Sequence, residues 1–410
     1  MADQAAPAPG SLFGVPKYGT QRRFVLDNGN AQLGFTPKAA SQINVPTTRL
    51  DQLDIVTGLK LTTSVPSQWT FTGAPQASFS PFFPANIIQG ITCKFQAAYN
   101  SFNLTGPLAS IIQGYRPMWG SRDRNTTANP FATPSTVTRP TTATPVTYNF
   151  SIDVPLAPKF DEYFDLSAQG DPLRKVYDAI VSPLYMAAQA RVVVPNVTLS
   201  PQYGSNDLLG APAAGTGGSY LSPSTASLAI SRDAYWTANN VAANPPQYPW
   251  MYTRDYFTQP TSGQAKVGVL IQNTGVSVGQ VLSLFGFVWD PLAVSPGGQS
   301  FGNVVPLTTA IASIELVTGG SLQNIYHTPT TLRDQMSSLY GSSVVGNQPD
   351  GVFVLDFALS EDGGYISNAN AINTYLVNGV QVNITFNPGF VPSAQSTVYM
   401  GVEALKLVTS

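Results

Sequence analysis

The residues best placed to do chemistry are Ser277, Asp290 and His327. Gly275-Val-Ser277-Val-Gly279 matches the G-x-S-x-G nucleophile elbow, and Ser, Asp and His follow in the order of an α/β-hydrolase triad. In that chemistry the serine hydroxyl attacks an acyl carbon, the histidine takes its proton and the aspartate orients the imidazole. His327 is the only histidine in the chain, so the base is fixed. The context argues against the triad. An elbow needs a strand, a strained turn and a helix, whereas Val281–Trp289 lacks helical spacing and reads as a strand. Gly275 and Gly279 then read as hairpin-turn residues. Carboxylates offer a second chemistry, since paired Asp and Glu hydrolyse glycosides. Asp161, Glu162 and Asp165 form one group, and Asp356, Glu361 and Asp362 another. Both follow strand-like runs into turn-like stretches, where solvated carboxylates are expected. With one Cys, Cys93, and one His, no Cys/His zinc site is expected. Gly215-Thr-Gly-Gly218 lacks the lysine and spacing of a phosphate-binding loop. The expectation is a protein that is not an enzyme, with no catalytic, cofactor-binding or metal residue and no cofactor.

Asp153 and Asp356 stand apart because they recur. Phe150-Ser-Ile-Asp-Val-Pro-Leu156 and Phe353-Val-Leu-Asp-Phe-Ala-Leu359 both read F-x-[IL]-D-x-[PA]-L, 203 residues apart. The elements around them recur in the same order. A strand (Ile91–Phe95; Ile311–Val317) leads to an excursion ending in aromatic-Gly (Trp119-Gly120; Tyr340-Gly341). After the motif and a further excursion comes a Val-rich strand (Val192–Leu199; Val380–Phe386). This ordered set points to duplication, with the motifs as matching core strands. Each aspartate is expected to face solvent or to cap a neighbouring loop's N–H groups.

Composition agrees with a β protein. Among 410 residues there are 35 Gly and 34 Pro, and charged residues make up only 10%. Strands joined by many turns have this balance, whereas helical surfaces use Glu and Lys freely. Net charge is -2, so no overall basic field recruits nucleic acid, and no direct sequence-specific binding is expected. No apolar run is long enough to span a bilayer, and the start lacks the pattern of a signal peptide, which implies synthesis in a cytoplasm. Val380, Val382, Ile384 and Phe386 alternate with Gln381, Asn383 and Thr385, the clearest half-buried strand. Two helices are expected. Asp171-Pro172 would start one carrying Leu173, Val176, Tyr177 and Ile180. Thr328-Pro329 would start another with Leu332, Met336 and Leu339 on one face and Gly341 at its end.

The fold class expected is all-β, with two jelly-roll barrels or sandwiches in tandem, long loops and a few short helices. The division expected is an N-terminal arm over 1–48, a first jelly roll over 49–203, a connecting segment over 204–250 and a second jelly roll over 251–410. Arg22, Arg23 and Lys38 give the arm a mild positive balance, and it reads equally as a disordered tail or as an arm that orders against a partner subunit or a membrane surface. Ser121–Pro145 reads as a long loop.

On Ala85–Ile91, Phe150–Leu156, Phe353–Leu359, Asn368–Leu376 and Val380–Pro388, the chain resembles the double jelly-roll major capsid proteins of tailless icosahedral viruses. It resembles especially those of tectivirus-like bacteriophages with an internal membrane. The resemblance spans roughly residues 50–410 and is one of architecture. It implies a viral structural protein that self-assembles as pseudo-hexagonal homotrimers into an icosahedral shell. The partners it implies are neighbouring capsomers, minor capsid or penton proteins, and an internal viral membrane met by the arm through Arg22 and Arg23. The location it implies is the virion. The alternatives are a secreted or surface β-sandwich that binds or hydrolyses carbohydrate, and a phage spike or fibre.

Overall fold

The computed structural model describes residues 21–27, 33–35, 42–43, 55–71, 77–79, 82, 85, 88–95, 99–115, 146–155, 159–164, 174–179, 193–199, 209–212, 221–237, 250–271, 279–292, 303–319, 325–358, 366–367, 371–374, 377 and 379–407. The fold is all-β with short helices, two jelly rolls in tandem. Eight principal strands build each one. In the first they are, in chain order, Gln21–Asp27, Gln42–Ile43, Ile55–Phe71, Ile88–Phe95, Tyr99–Leu104, Val146–Pro155, Val193–Leu199 and Leu221–Thr237. In the second they are Trp250–Pro260, Lys266–Leu270, Gly279–Asp290, Ile311–Thr318, Ile325–His327, Phe353–Asp356, Val380–Phe386 and Thr397–Leu407. Both sets make two sheets of the same order, first-eighth-third-sixth and second-seventh-fourth-fifth. Such an order needs long crossings between the sheets, which is why the excursions are long.

Side-chain alternation explains the second jelly roll. In Val380–Phe386 the four apolar residues turn inward, and Val267 and Val269 alternate with exposed Lys266, Gly268 and Leu270. Gly279–Asp290 is buried along almost its whole length, as expected of a strand covered on both faces. On Thr397–Leu407, Val398, Met400, Val402 and Ala404 enter the main core, leaving Tyr399, Gly401, Glu403 and Leu405 for the opposite face. The main core unites both halves, with Ile91, Phe102, Ile111 and Ile152 from one and Ile314, Val382, Ile384 and Met400 from the other.

A backbone splice also joins the halves. The fifth strand of the first jelly roll, Tyr99–Leu104, pairs in parallel with the first strand of the second, Trp250–Pro260, at Phe102 and Arg254. Two four-stranded sheets thereby become the spine of a single 10-stranded sheet.

Several elements differ from the sequence expectation. The 1–48 segment is not solely an arm, because Gln21–Asp27 and Gln42–Ile43 supply two strands of the first jelly roll. The 204–250 segment carries the 17-residue strand Leu221–Thr237, which lies between Gln21–Asp27 and Ile55–Phe71. Its Ser, Thr and Ala residues give no hydrophobic alternation, and ladder hydrogen bonds to both neighbours hold it. Where a helix was expected from Asp171, Arg174–Ala179 is a strand paired with Lys159–Phe164. Its β-favouring Val176 and Tyr177 suit that pairing, and tertiary context overrides the capping signal.

Conversely, Gly106–Tyr115 is a helix that the sequence reading did not identify. Its signals are ordinary ones. The Thr105 hydroxyl accepts the Leu108 N–H at 3.4 Å, Pro107 sits in the first turn, and Leu108, Ile111, Ile112 and Tyr115 follow helical spacing. The second helix, Pro329–Tyr340, is capped as expected. The Thr328 hydroxyl accepts the Thr331 N–H at 3.2 Å, and Gly341, at φ 92°, ends it by donating to the Ser337 carbonyl at 2.9 Å. Its buried stripe is Leu332, Met336 and Tyr340, so Leu339, expected on that face, is exposed instead.

Candidate functional site

The two helices occupy matching places, each following the fifth strand and preceding the recurrent motif in the sixth. The Gly106–Tyr115 helix packs on Val146–Pro155 of its own jelly roll and on Gly279–Asp290 and Thr397–Leu407 of the other. It therefore lies between the two. Gln113 accepts the Asp153 N–H at 3.2 Å through its side-chain oxygen. In the second jelly roll the Tyr340 hydroxyl donates to Asp356 Oδ2, and Asp356 Oδ1 accepts the Ala358 N–H at 2.9 Å. Both motif aspartates are thus tied to the C-terminal turn of the helix preceding them, one by its backbone and one by its carboxylate. The N–H cap expected for the motif aspartates is present at Asp356, and its tyrosine partner was not foreseen. Tyr115 and Tyr340 meet edge to face, with ring centroids 4.7 Å apart. A second aromatic contact joins Phe82 of the first half to the second, its ring centroid 4.6 Å from that of Phe287, which in turn stacks on Tyr399 at 5.2 Å.

Beside the splice lies a buried polar network. Arg254 is 3% exposed and Glu403 0%. Arg254 donates to Glu403 Oε1 through Nη2 at 3.1 Å and Nε at 3.2 Å, and its Nε also reaches the Tyr252 hydroxyl oxygen at 2.9 Å. The Tyr252 hydroxyl donates to Glu403 Oε1, and Ser283 Oγ donates to Oε2 at 2.9 Å. Both carboxylate oxygens are therefore engaged, as a buried charge requires. Asp255, the next residue, accepts the Asn103 amide at 2.8 Å across the splice and lies 3.9 Å from Lys406 Nζ. Burial pushes its carboxyl up, against the opposing pull of Asn103, Lys406 and the Tyr256 N–H. Burial pushes Lys406 down, partly offset by Asp255. The Arg254–Glu403 network ties together three strands of the second jelly roll, and the Asn103–Asp255 bond with the Tyr115–Tyr340 contact fixes that jelly roll to the first.

Of the Ser277, Asp290 and His327 set, the two described residues, Asp290 and His327, stand on strands of different sheets. Ser277 lies outside the described residues, as do Glu361, Asp362 and the 121–145 loop. Asp290 accepts Ser393 Oγ at 2.6 Å, the Ser393 N–H at 3.1 Å and the Leu292 N–H at 2.9 Å. Burial would raise its carboxyl, but these bonds and the Ser396 hydroxyl outweigh it and hold the group below the usual range. His327 belongs to the other sheet, opposite Ile314, and burial lowers its imidazole. Its Nδ1 has no hydrogen-bond partner among the described residues. Asp161 and Glu162 stand in the Lys159–Phe164 hairpin strand, opposite Tyr177 and Val176. No group of three or more His, Cys, Asp or Glu able to hold a metal occurs among the described residues, and no described helix is long and apolar enough to cross a membrane. Arg22 and Arg23 pair with Trp236 and Tyr235 through the backbone.

No protein-family model matches this sequence, and no curated protein matches it. Solved structures do match the fold. The major capsid protein of Sulfolobus Turreted Icosahedral Virus superposes with a TM-score of 0.52 at 12% identity, covering 95% of this chain and 97% of that one. The PBCV-1 virus capsid gives 0.54 at 12% identity, covering 95% and 94%. A crystal structure of a PBCV-1 protein fitted into a reconstruction of the virophage Sputnik gives 0.55 at 10% identity, with the same coverage. These neighbours are double jelly-roll major capsid proteins, and this chain shares their fold.

Proposed function

We propose that this chain is a major capsid protein, built into the shell of an icosahedral virus as pseudo-hexagonal homotrimers. One observation carries the reading. The same eight-strand order is executed twice, spans nearly the whole chain, and coincides with viral capsid proteins over 95% of its length. Low charge supports it, since contact surfaces buried between subunits are depleted in charged residues. The buried network and the paired helices suit a rigid building block whose role is mechanical. Within this reading the two units run from Gln21 to Thr237 and from Trp250 to Leu407, joined by residues 238–249.

The finer parts belong to the same proposal. The virus is a tailless bacteriophage with an internal membrane, and the chain is made in the host cytoplasm and resides in the virion. Its neighbours are other capsomers and minor capsid or penton proteins. Arg22 and Arg23, near the start of the first jelly roll, contact either a neighbouring subunit or anionic headgroups. Light scattering on the purified chain tests the assembly. A stable species of three times 43.5 kDa that associates further supports it, and a monomer at all concentrations overturns it. Flotation with anionic vesicles, comparing wild type with Arg22→Ala/Arg23→Ala, tests the membrane contact.

A further inference from the structure

The splice inside the chain specifies a contact between chains. Within the molecule the fifth-strand edge of the first jelly roll receives the first strand of the second. Two equivalent edges stay open among the described residues: the fifth strand of the second jelly roll, Ile325–His327, and the first strand of the first, Gln21–Asp27. Ile325 is 39% exposed and Tyr326 61%, on a strand at the margin of its sheet. Apolar residues on an open edge are a template for another strand.

The strand registers align the two halves residue by residue. On the fifth strands, Leu104 pairs with Ile91 and precedes the helix cap Thr105, while His327 pairs with Ile314 and precedes the cap Thr328. Both criteria equate Phe102 with Ile325 and Asn103 with Tyr326. On the first strands the alignment runs through the motif. Ile152 and Leu355 pair with Leu61 and Leu284, those with Arg232 and Val402, and those with Asp27 and Asp255. Asp153 and Asp356 lead by the same path, through Lys60 and Ser283, then Asp233 and Glu403, to Val25 and Arg254.

Inside the chain Phe102 pairs with Arg254, and Asn103 donates to Asp255. We propose that Ile325–His327 of one copy pairs in parallel with Gln21–Asp27 of a second copy, setting Ile325 against Val25 and Tyr326 against Asp27. The first pair is apolar, and in the second a phenol meets a carboxylate, so each position finds a chemically compatible partner. The occupant is a second copy because each chain offers one open edge of each kind, and the contact continues the one already made within the chain. It is head-to-tail, and such contacts form rings where the rotation between copies closes and filaments where it does not. Closure after three copies, as the trimer reading requires, presents six jelly rolls in one ring.

This inference rests on the trimer reading, and its test separates the two. Val25→Cys and Ile325→Cys are combined in the full-length chain with Cys93→Ser, and the protein is mildly oxidised. Covalent dimers and trimers are expected on a non-reducing gel from the combined variant, and one dimeric band from a mixture of the two single variants. Tyr326→Asp, which sets a second carboxylate against Asp27, should weaken association by about tenfold or more with an unchanged circular dichroism spectrum. A wild-type trimer with no cross-link, and indifferent to Tyr326→Asp, overturns this contact while leaving the trimer. A monomeric wild type overturns both.

Discussion

Tyr115 and Tyr340 end the Gly106–Tyr115 and Pro329–Tyr340 helices, and their rings meet at 4.7 Å with an interplanar angle of 68°. They are 225 positions apart in the chain, counted from 115 to 340, and each helix lies between the fifth strand and the recurrent motif of its jelly roll. An edge-to-face pair is worth about 0.5–1.5 kcal/mol beyond the area it buries. A double-mutant cycle with Tyr115→Leu and Tyr340→Leu should return a coupling of that size in urea unfolding. Simple additivity would show that the rings touch without mutual stabilisation.

Tyr340→Phe isolates the hydroxyl. It keeps the ring contact and removes the bond to Asp356. Hydrogen bonds to charged groups contribute about 1.5–3 kcal/mol, and this group is only partly buried, so the lower end applies. A fall in Tm of a few degrees is expected, and an unchanged Tm would refute the role given to Asp356.

The Arg254–Glu403 pair is expected to be costly to break on one side. Arg254→Met or Glu403→Met alone strands a buried charge, a loss of about 3–5 kcal/mol, whereas the double substitution should recover much of it. Denaturant midpoints of the three variants read this directly. Equal losses in all three would mean that packing, rather than charge, governs the site.

Two aspartates should give opposite pH slopes. The folded state raises Asp255 through burial, so its favourable contribution is present at low pH and is lost as pH rises from 3.8 through the folded value. In Asp290, hydrogen bonds outweigh burial and the folded value is lowered. Its contribution is present above 3.8 and is lost as pH falls through the folded value. Unfolding free energy measured across the acid range should flatten on its rising limb in Asp290→Asn. In Asp255→Asn the downward slope above 3.8 should disappear. A variant with the wild-type profile removes that aspartate from the account.

Gly351→Ala should be among the more damaging single-methyl changes. A Cβ there would lie 2.4 Å from the Val305 carbonyl oxygen, at a φ of +121° that side chains rarely adopt. Backbone strain of this kind costs about 1–3 kcal/mol before the clash is added. Thermal unfolding should show a marked loss, with Gly346→Ala, which meets open space, as the control.

Much of the architecture could be read from the chain. Ile91–Phe95 and Ile311–Val317 fall in the two fourth strands, the two motifs overlap the sixth strands, and Val192–Leu199 and Val380–Phe386 overlap the seventh. These are strands whose apolar residues alternate or cluster, so burial writes itself into the pattern. Leu221–Thr237 was missed because an all-backbone ladder between two neighbours needs no apolar period. Gln21–Asp27 is too short and too charged to stand out. The Gly106–Tyr115 helix carried a legible cap and stripe, but its opening Gly-Pro reads first as a turn. The ion pair joins residues 149 positions apart, and only the register of two strands reveals that they meet.

The parallel splice at Phe102 and Arg254 has a bearing on stiffness. A joint made only of side chains can roll or slide, because its contacts reform after small displacements. Here the strand pairing at Phe102 and Arg254 is reinforced by the Asn103–Asp255 bond, so sliding one jelly roll against the other must break hydrogen bonds rather than merely exchange contacts. In the proposed shell, bending is then expected at the seams between chains rather than inside one.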